Sequence, residues 1–86
     1  AIDAAMAQGL IDALRAAEAD AQVAAIVITA EGPVFSAGAD LAERKAMAGD
    51  AAARAARWTL GEAMLMAPGE TGKPVIAAVQ GDALGA

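Results

Sequence analysis

The chain has 86 residues, 28 of them alanine, and a formal charge of −5, so it is at most one small domain with no positive face for neutralising nucleic-acid phosphates. It holds no cysteine and no histidine, which excludes disulfides, thiolate metal sites, histidine-dependent triads and ordinary zinc sites. No stretch approaches the roughly 18 apolar residues of a membrane span and no basic leader opens the chain, so a cytoplasmic location is expected, with no nucleic acid or membrane among its partners.

Residues 3–19 predict an amphipathic helix: Ile2, Met6, Leu10, Ile11 and Leu14 recur near the helical period, and Asp3 stands where an N-cap belongs. "VAAIVITA", 23–30, is a near-continuous apolar run with β-branched residues, the pattern of a strand buried on both faces of a parallel sheet. After a loop at 32–40, Asp40 with Glu43 three places on predicts a capping box and a helix over 41–47. Residues 50–66 predict another helix, capped by Asp50 and closed by Pro68-Gly69, and "PVIAAV", 74–79, a second buried strand leading into a loop at 80–86. Helix and strand alternate, which implies an α/β architecture with parallel pairing. Phe35 and Trp58 are the only aromatic residues, and small side chains bury little area each. The chain therefore reads as part of something larger or as an obligate subunit, because two strands leave sheet edges that a native protein covers.

Both strands run out into segments stripped of side-chain bulk, "GPVFSAGAD" and "QGDALGA". Ligands bind outside the carboxyl ends of parallel strands, and two such loops can aim two backbone N–H groups at one oxygen, as an oxyanion hole requires. Glycine after a strand also serves a turn or tight packing, and the pattern alone leaves both readings open.

The stretches "IVITAEG", "FSAGADL" and "KPVIAAVQGDALGA", in this order, resemble the enoyl-CoA hydratase/isomerase (crotonase) superfamily over essentially the whole chain. The resemblance implies a crotonase-like spiral of parallel-strand ββα units, of which residues 1–86 make a partial domain. It implies that the backbone N–H groups of Ala39 and Ala86 form an oxyanion hole for the carbonyl of an acyl-CoA thioester. Ala86 follows Gly85 where most relatives have a second glycine. Ala37, Gly38, Asp40, Leu41 and Gly85 are then substrate-binding, with no metal and no permanently bound cofactor, coenzyme A arriving as part of the substrate. The implied activity is most simply enoyl-CoA hydratase, a lyase of fatty acid metabolism and β-oxidation assembled as a homotrimer or hexamer. Another crotonase reaction (isomerase, hydrolase or decarboxylase) or a non-catalytic CoA-binding or oligomerisation module are the alternatives. The hydratase glutamates lie beyond the second loop in the family, so the 86 residues alone are expected to be inactive.

Other residues carry plainer expectations. Glu43, Arg44 and Lys45 read as a solvated face, as do Arg54 and Arg57, although the latter two have CoA phosphates as an alternative. Glu62 has the approach to the acyl pocket as its minor reading. Met47, Met64, Met66 and Trp58 read as core, interface or acyl-pocket lining. "GETGKP" is rejected as a phosphate loop, because Ala67 stands where glycine is needed and Pro74 follows Lys73.

Overall fold

The computed structural model describes residues 1–84. Its order is α1 (Ala4–Ala19), β1 (Ile26–Ile28), α2 (Leu41–Ala46), α3 (Ala51–Glu70) and β2 (Val75–Ala77). The three helices start in the same way, with an aspartate side chain accepting the amide three residues on: Asp3 from Met6, Asp40 from Glu43 and Asp50 from Ala53, at 2.8, 2.9 and 2.9 Å. Helix α3 continues through Pro68 and ends at Glu70 instead of closing at 66. Proline this close to the end removes only one late hydrogen bond, and the C-cap falls at Thr71.

The core lies between α1 and α3. Ala7 is fully buried, Ile11, Leu14 and Met64 nearly so, and Ile2, Leu10, Leu60 and Ala67 pack around the cluster. Met6, placed on the apolar stripe by its spacing, is 58% exposed, and Ala7 takes the contact position in its place. Alanine there lets the two helix backbones approach closely, which a methionine would prevent.

Strands β1 and β2 form a two-stranded parallel sheet in the register Ile26–Val75, Val27–Ile76 and Ile28–Ala77. A helical sequence with a small parallel sheet is an α/β arrangement. The strands are much shorter than 23–30 and 74–79, and they are not buried on both faces: the cross-strand neighbours Val27 and Ile76 are 59% and 55% exposed. A doubly buried strand needs a layer on each side, and α1 and α3 spend their apolar faces on each other. The radius of gyration, 14.1 Å, exceeds the ~12 Å of a compact chain of this length, as a flat arrangement requires.

The pairing does not end with the strands. It lapses, then resumes at a parallel bridge between Ser36 and Ala83, and a further parallel bridge joins Ile2 to Ala39. Between the two pairings the first chain uses eight positions, Ile28 to Ser36, and the second only six, Ala77 to Ala83, so the first segment bulges. Two glycines make the bulge possible. Gly32 and Gly81 have φ of +85° and +68°, in the left-handed region. At Gly81 a Cβ would fall 1.7 Å from the Pro33 carbonyl oxygen, so backbone lies directly against backbone. Gln80 completes the seam by donating to the carbonyls of Ala30 and Gly32.

Gly81→Ala is expected to destabilise the protein by at least about 1–3 kcal/mol, the usual scale of left-handed strain, before the collision with Pro33 is added. Gly49→Ala, with open space around it and no positive φ, is the control expected to leave the denaturant midpoint unchanged or slightly raised.

Candidate functional site

The first loop is held from its N-terminal side by α1's leader. Ile2 N–H donates to the Gly38 carbonyl at 2.7 Å, and Asp40 N–H donates to the Ile2 carbonyl at 3.1 Å. In a parallel ladder the residue between two such partners turns its own N–H and C=O the other way. That residue is Ala39, and among the described residues its N–H has no acceptor. Gly38, buried and at φ +83°, supplies the left-handed turn that puts Ala39 there.

Ala39 opens onto a cleft of about 810 Å³. One wall is the loop, through Ala37, Gly38, Ala39 and Leu41, and the other is one face of α3, through Arg54, Arg57, Trp58, Gly61, Glu62 and Leu65. Those α3 residues are three and four apart, so they make a single stripe. Trp58 is 72% exposed in this cleft, Met64 is buried beneath it, and Met66 lies outside, 62% exposed. Glu62, read from the sequence as a minor candidate, shares the cleft with Ala39.

Five of the seven expected site residues are described: Ala37, Gly38, Ala39, Asp40 and Leu41 are gathered in one loop. Asp40 is the one of these five that does not line the cleft, its carboxylate being turned to the first turn of α2. Gly85 and Ala86 lie outside the described residues.

Two expectations are corrected here. Glu43 is not a solvated side chain: its Oε1 meets Arg57 Nε at 2.6 Å, and its Oε2 accepts from Ala4 N–H at 2.7 Å. Arg57 in turn donates to the Ile2 carbonyl at 3.2 Å, and the two side chains are only 22% and 17% exposed. The capping box is therefore half formed. Asp40 caps Glu43, but Glu43 reaches across to α1 and α3, and Asp40 N–H goes to Ile2. Arg54 is exposed, as read from the sequence, and it also donates to the Met47 and Ala48 carbonyls at 3.1 and 2.5 Å, closing α2. The sequence signal for these roles was weak, since charge spacing along one helix says nothing about a partner on another. Lys73 is spent on α1, donating to the Ala17 and Asp20 carbonyls at 2.6 and 2.5 Å, which fits its rejection as a phosphate-loop lysine.

The fold and cleft together define an α/β unit that offers a backbone donor from a glycine turn to a groove walled by a helix. The family model for enoyl-CoA hydratase/isomerase matches residues 1–86, and the chain belongs to that family, within the crotonase superfamily. No curated protein and no solved structure gives a match to the chain. Among the described residues, no helix is long and apolar enough to cross a membrane.

Because Glu43 and Arg57 each keep several partners, removing either leaves the other's groups unsatisfied in a half-buried setting. Glu43→Ala is expected to cost about 2 kcal/mol, the scale of hydrogen bonds to charged groups. A double-mutant cycle with Arg57→Ala, followed by urea unfolding, is expected to show a coupling of at least about 0.5 kcal/mol. Additive single effects would deny the pair its role.

Proposed function

We propose that this chain takes part in an acyl-CoA reaction, most simply the addition of water to a 2-enoyl-CoA thioester. Membership of the enoyl-CoA hydratase/isomerase family supports the acyl-CoA reading. The single observation that carries the site is the Ala39 N–H, turned away from its ladder partner Ile2 and without an acceptor among the described residues, on a residue that lines a cleft large enough for a thioester. In this reading the thioester oxygen accepts from the backbone N–H groups of Ala39 and Ala86. Water gives up one proton to a carboxylate base, expected beyond the second loop, as its oxygen bonds the β-carbon; the C=C electron pair moves to the thioester oxygen as an enolate, and the two donors stabilise the charge that forms there. The α-carbon then takes a proton, completing the addition. Ala37, Gly38, Asp40, Leu41 and Gly85 belong to the same substrate site, and coenzyme A enters as part of the substrate with no resident cofactor.

A second reading is favoured by one observation. Glu62 lies on the α3 wall of the cleft, and Glu43, the other carboxylate there, is committed to Arg57 and Ala4. A carboxylate free to move a proton between carbons flanking an enolate performs isomerisation, without water addition. The same proposal includes the crotonase-like spiral of ββα units, a cytoplasmic location and a homotrimer or hexamer. The exposed apolar side chains of Val27 and Ile76, neighbours on the sheet, are of the kind that subunits cover.

Ala39→Pro tests the donor directly. It removes the one N–H in question, while the bridge to Ile2, which uses the Gly38 carbonyl and the Asp40 N–H, keeps its hydrogen bonds. In the protein at its native length, turnover of a 2-enoyl-CoA, followed as loss of the conjugated enoyl absorbance, is expected to fall about 10²–10³-fold, the scale for one lost oxyanion donor. Binding of coenzyme A, measured by calorimetry, is expected to change little. Full turnover in the folded variant would rule out the donor.

A further inference from the structure

Ser36 stands where the two loops meet, and nearly all its polar groups are used across that seam. Its Oγ accepts from Gly38 N–H at 3.2 Å and donates to the Leu84 carbonyl at 3.3 Å. Its backbone N–H donates to the Asp82 carbonyl at 3.1 Å, and its own carbonyl accepts from Leu84 N–H at 2.7 Å. The backbone pair belongs to any residue at this register. The hydroxyl pair depends on serine.

The hydroxyl acts on both loops at once. Gly38 is buried and turned to φ +83°, so its N–H needs an acceptor, and Ser36 Oγ is the one it has among the described residues. With Gly38 N–H held by Ser36 and the Gly38 carbonyl held by Ile2, the next amide along, that of Ala39, is the one left without an acceptor among the described residues. The proton of the same oxygen goes to Leu84, at the point where the second loop continues towards Gly85 and Ala86. One oxygen atom therefore ties the turn behind the first donor to the segment leading into the second loop's end.

We propose that Ser36 is a positioning residue whose hydroxyl sets the spacing of the two donor loops, and with it the grip on the thioester oxygen as it becomes an enolate. This rests on the acyl-CoA reading above. A shift of a fraction of an ångström between the loops barely alters how coenzyme A sits in the cleft. The same shift weakens hydrogen bonds that matter most in the transition state, where charge is greatest.

The experiment compares Ser36→Ala and Ser36→Thr with the wild-type protein at its native length, using a 2-enoyl-CoA thioester and recording kcat and KM separately. Ser36→Ala is expected to lose about 10–100-fold in kcat with KM changed by no more than about twofold, and Ser36→Thr, which keeps the hydroxyl, to recover most of the loss. If Ser36→Ala does not fold, Ser36→Cys replaces it, since a thiol is similar in shape but weak as donor and acceptor. A folded Ala or Cys variant with wild-type kcat, or one in which only KM rises, overturns the inference while the acyl-CoA reading stands. A wild-type protein that turns over no acyl-CoA thioester overturns that reading and this inference together.

Discussion

The ion pair between Glu43 and Arg57 ties α2, a helix with no buried residue, to the pair of helices that share the core. It links α2 to α3, and through Ala4 N–H and the Ile2 carbonyl it links both to the start of α1. Ile2 is the strand partner of Ala39, so the same network that joins the helices also fixes the loop facing the cleft. Each charge is partly sheltered and each has neutral hydrogen-bond partners besides its counter-ion. That is the arrangement in which a desolvated pair is tolerated, and in which loss of one member is costly. With only four buried hydrophobic side chains among the described residues, directional polar contacts define geometry that packing alone leaves loose.

The second constraint is the parallel ladder carried past the strands. β1 and β2 pair over three residues, but the bridge at Ser36 and Ala83 shows that the chain ends beyond them stay side by side. Gly81 lies against Pro33, Gln80 reaches the carbonyls of Ala30 and Gly32, and Ser36 spans to Leu84. The small residues of these loops consequently serve two ends. Gly81 is small because the other loop's backbone occupies the place of its Cβ. Gly38 is small because the turn before Ala39 requires a positive φ. Close backbone packing accounts for Gly81 and a left-handed turn for Gly38, two different demands met by glycine in the same seam.

Much of this was legible residue by residue. Aspartate before an apolar helical stripe marked all three helix starts, because capping joins groups three residues apart and is decided locally. "FSAGADL" and "KPVIAAVQGDALGA" carried the family, which the match over residues 1–86 shows. The extent of the strands was not legible. An apolar run of eight residues predicts a buried strand only if layers cover both faces, and Val27 and Ile76 have none over them. Nor was the exchange of Met6 for Ala7 at the helix contact, since periodicity gives a stripe but not the depth to which each residue on it sinks.

What the sequence by itself determined is the set of local choices: where helices start, which segments extend, and which family the motifs belong to. These depend on neighbours within a turn or two. What only the tertiary structure decided is which long-range partners those local elements meet. Glu43 and Arg57 are 14 residues apart, Glu43 and Ala4 are 39, and Ser36 and Leu84 are 48, so no spacing rule connects them. Whether a charged side chain is solvated or a backbone amide is free depends on how helices cross and where a ladder resumes. The amide of Ala39 turns away from Ile2 because Ile2, 37 positions away in the chain, pairs with the residues on either side of it.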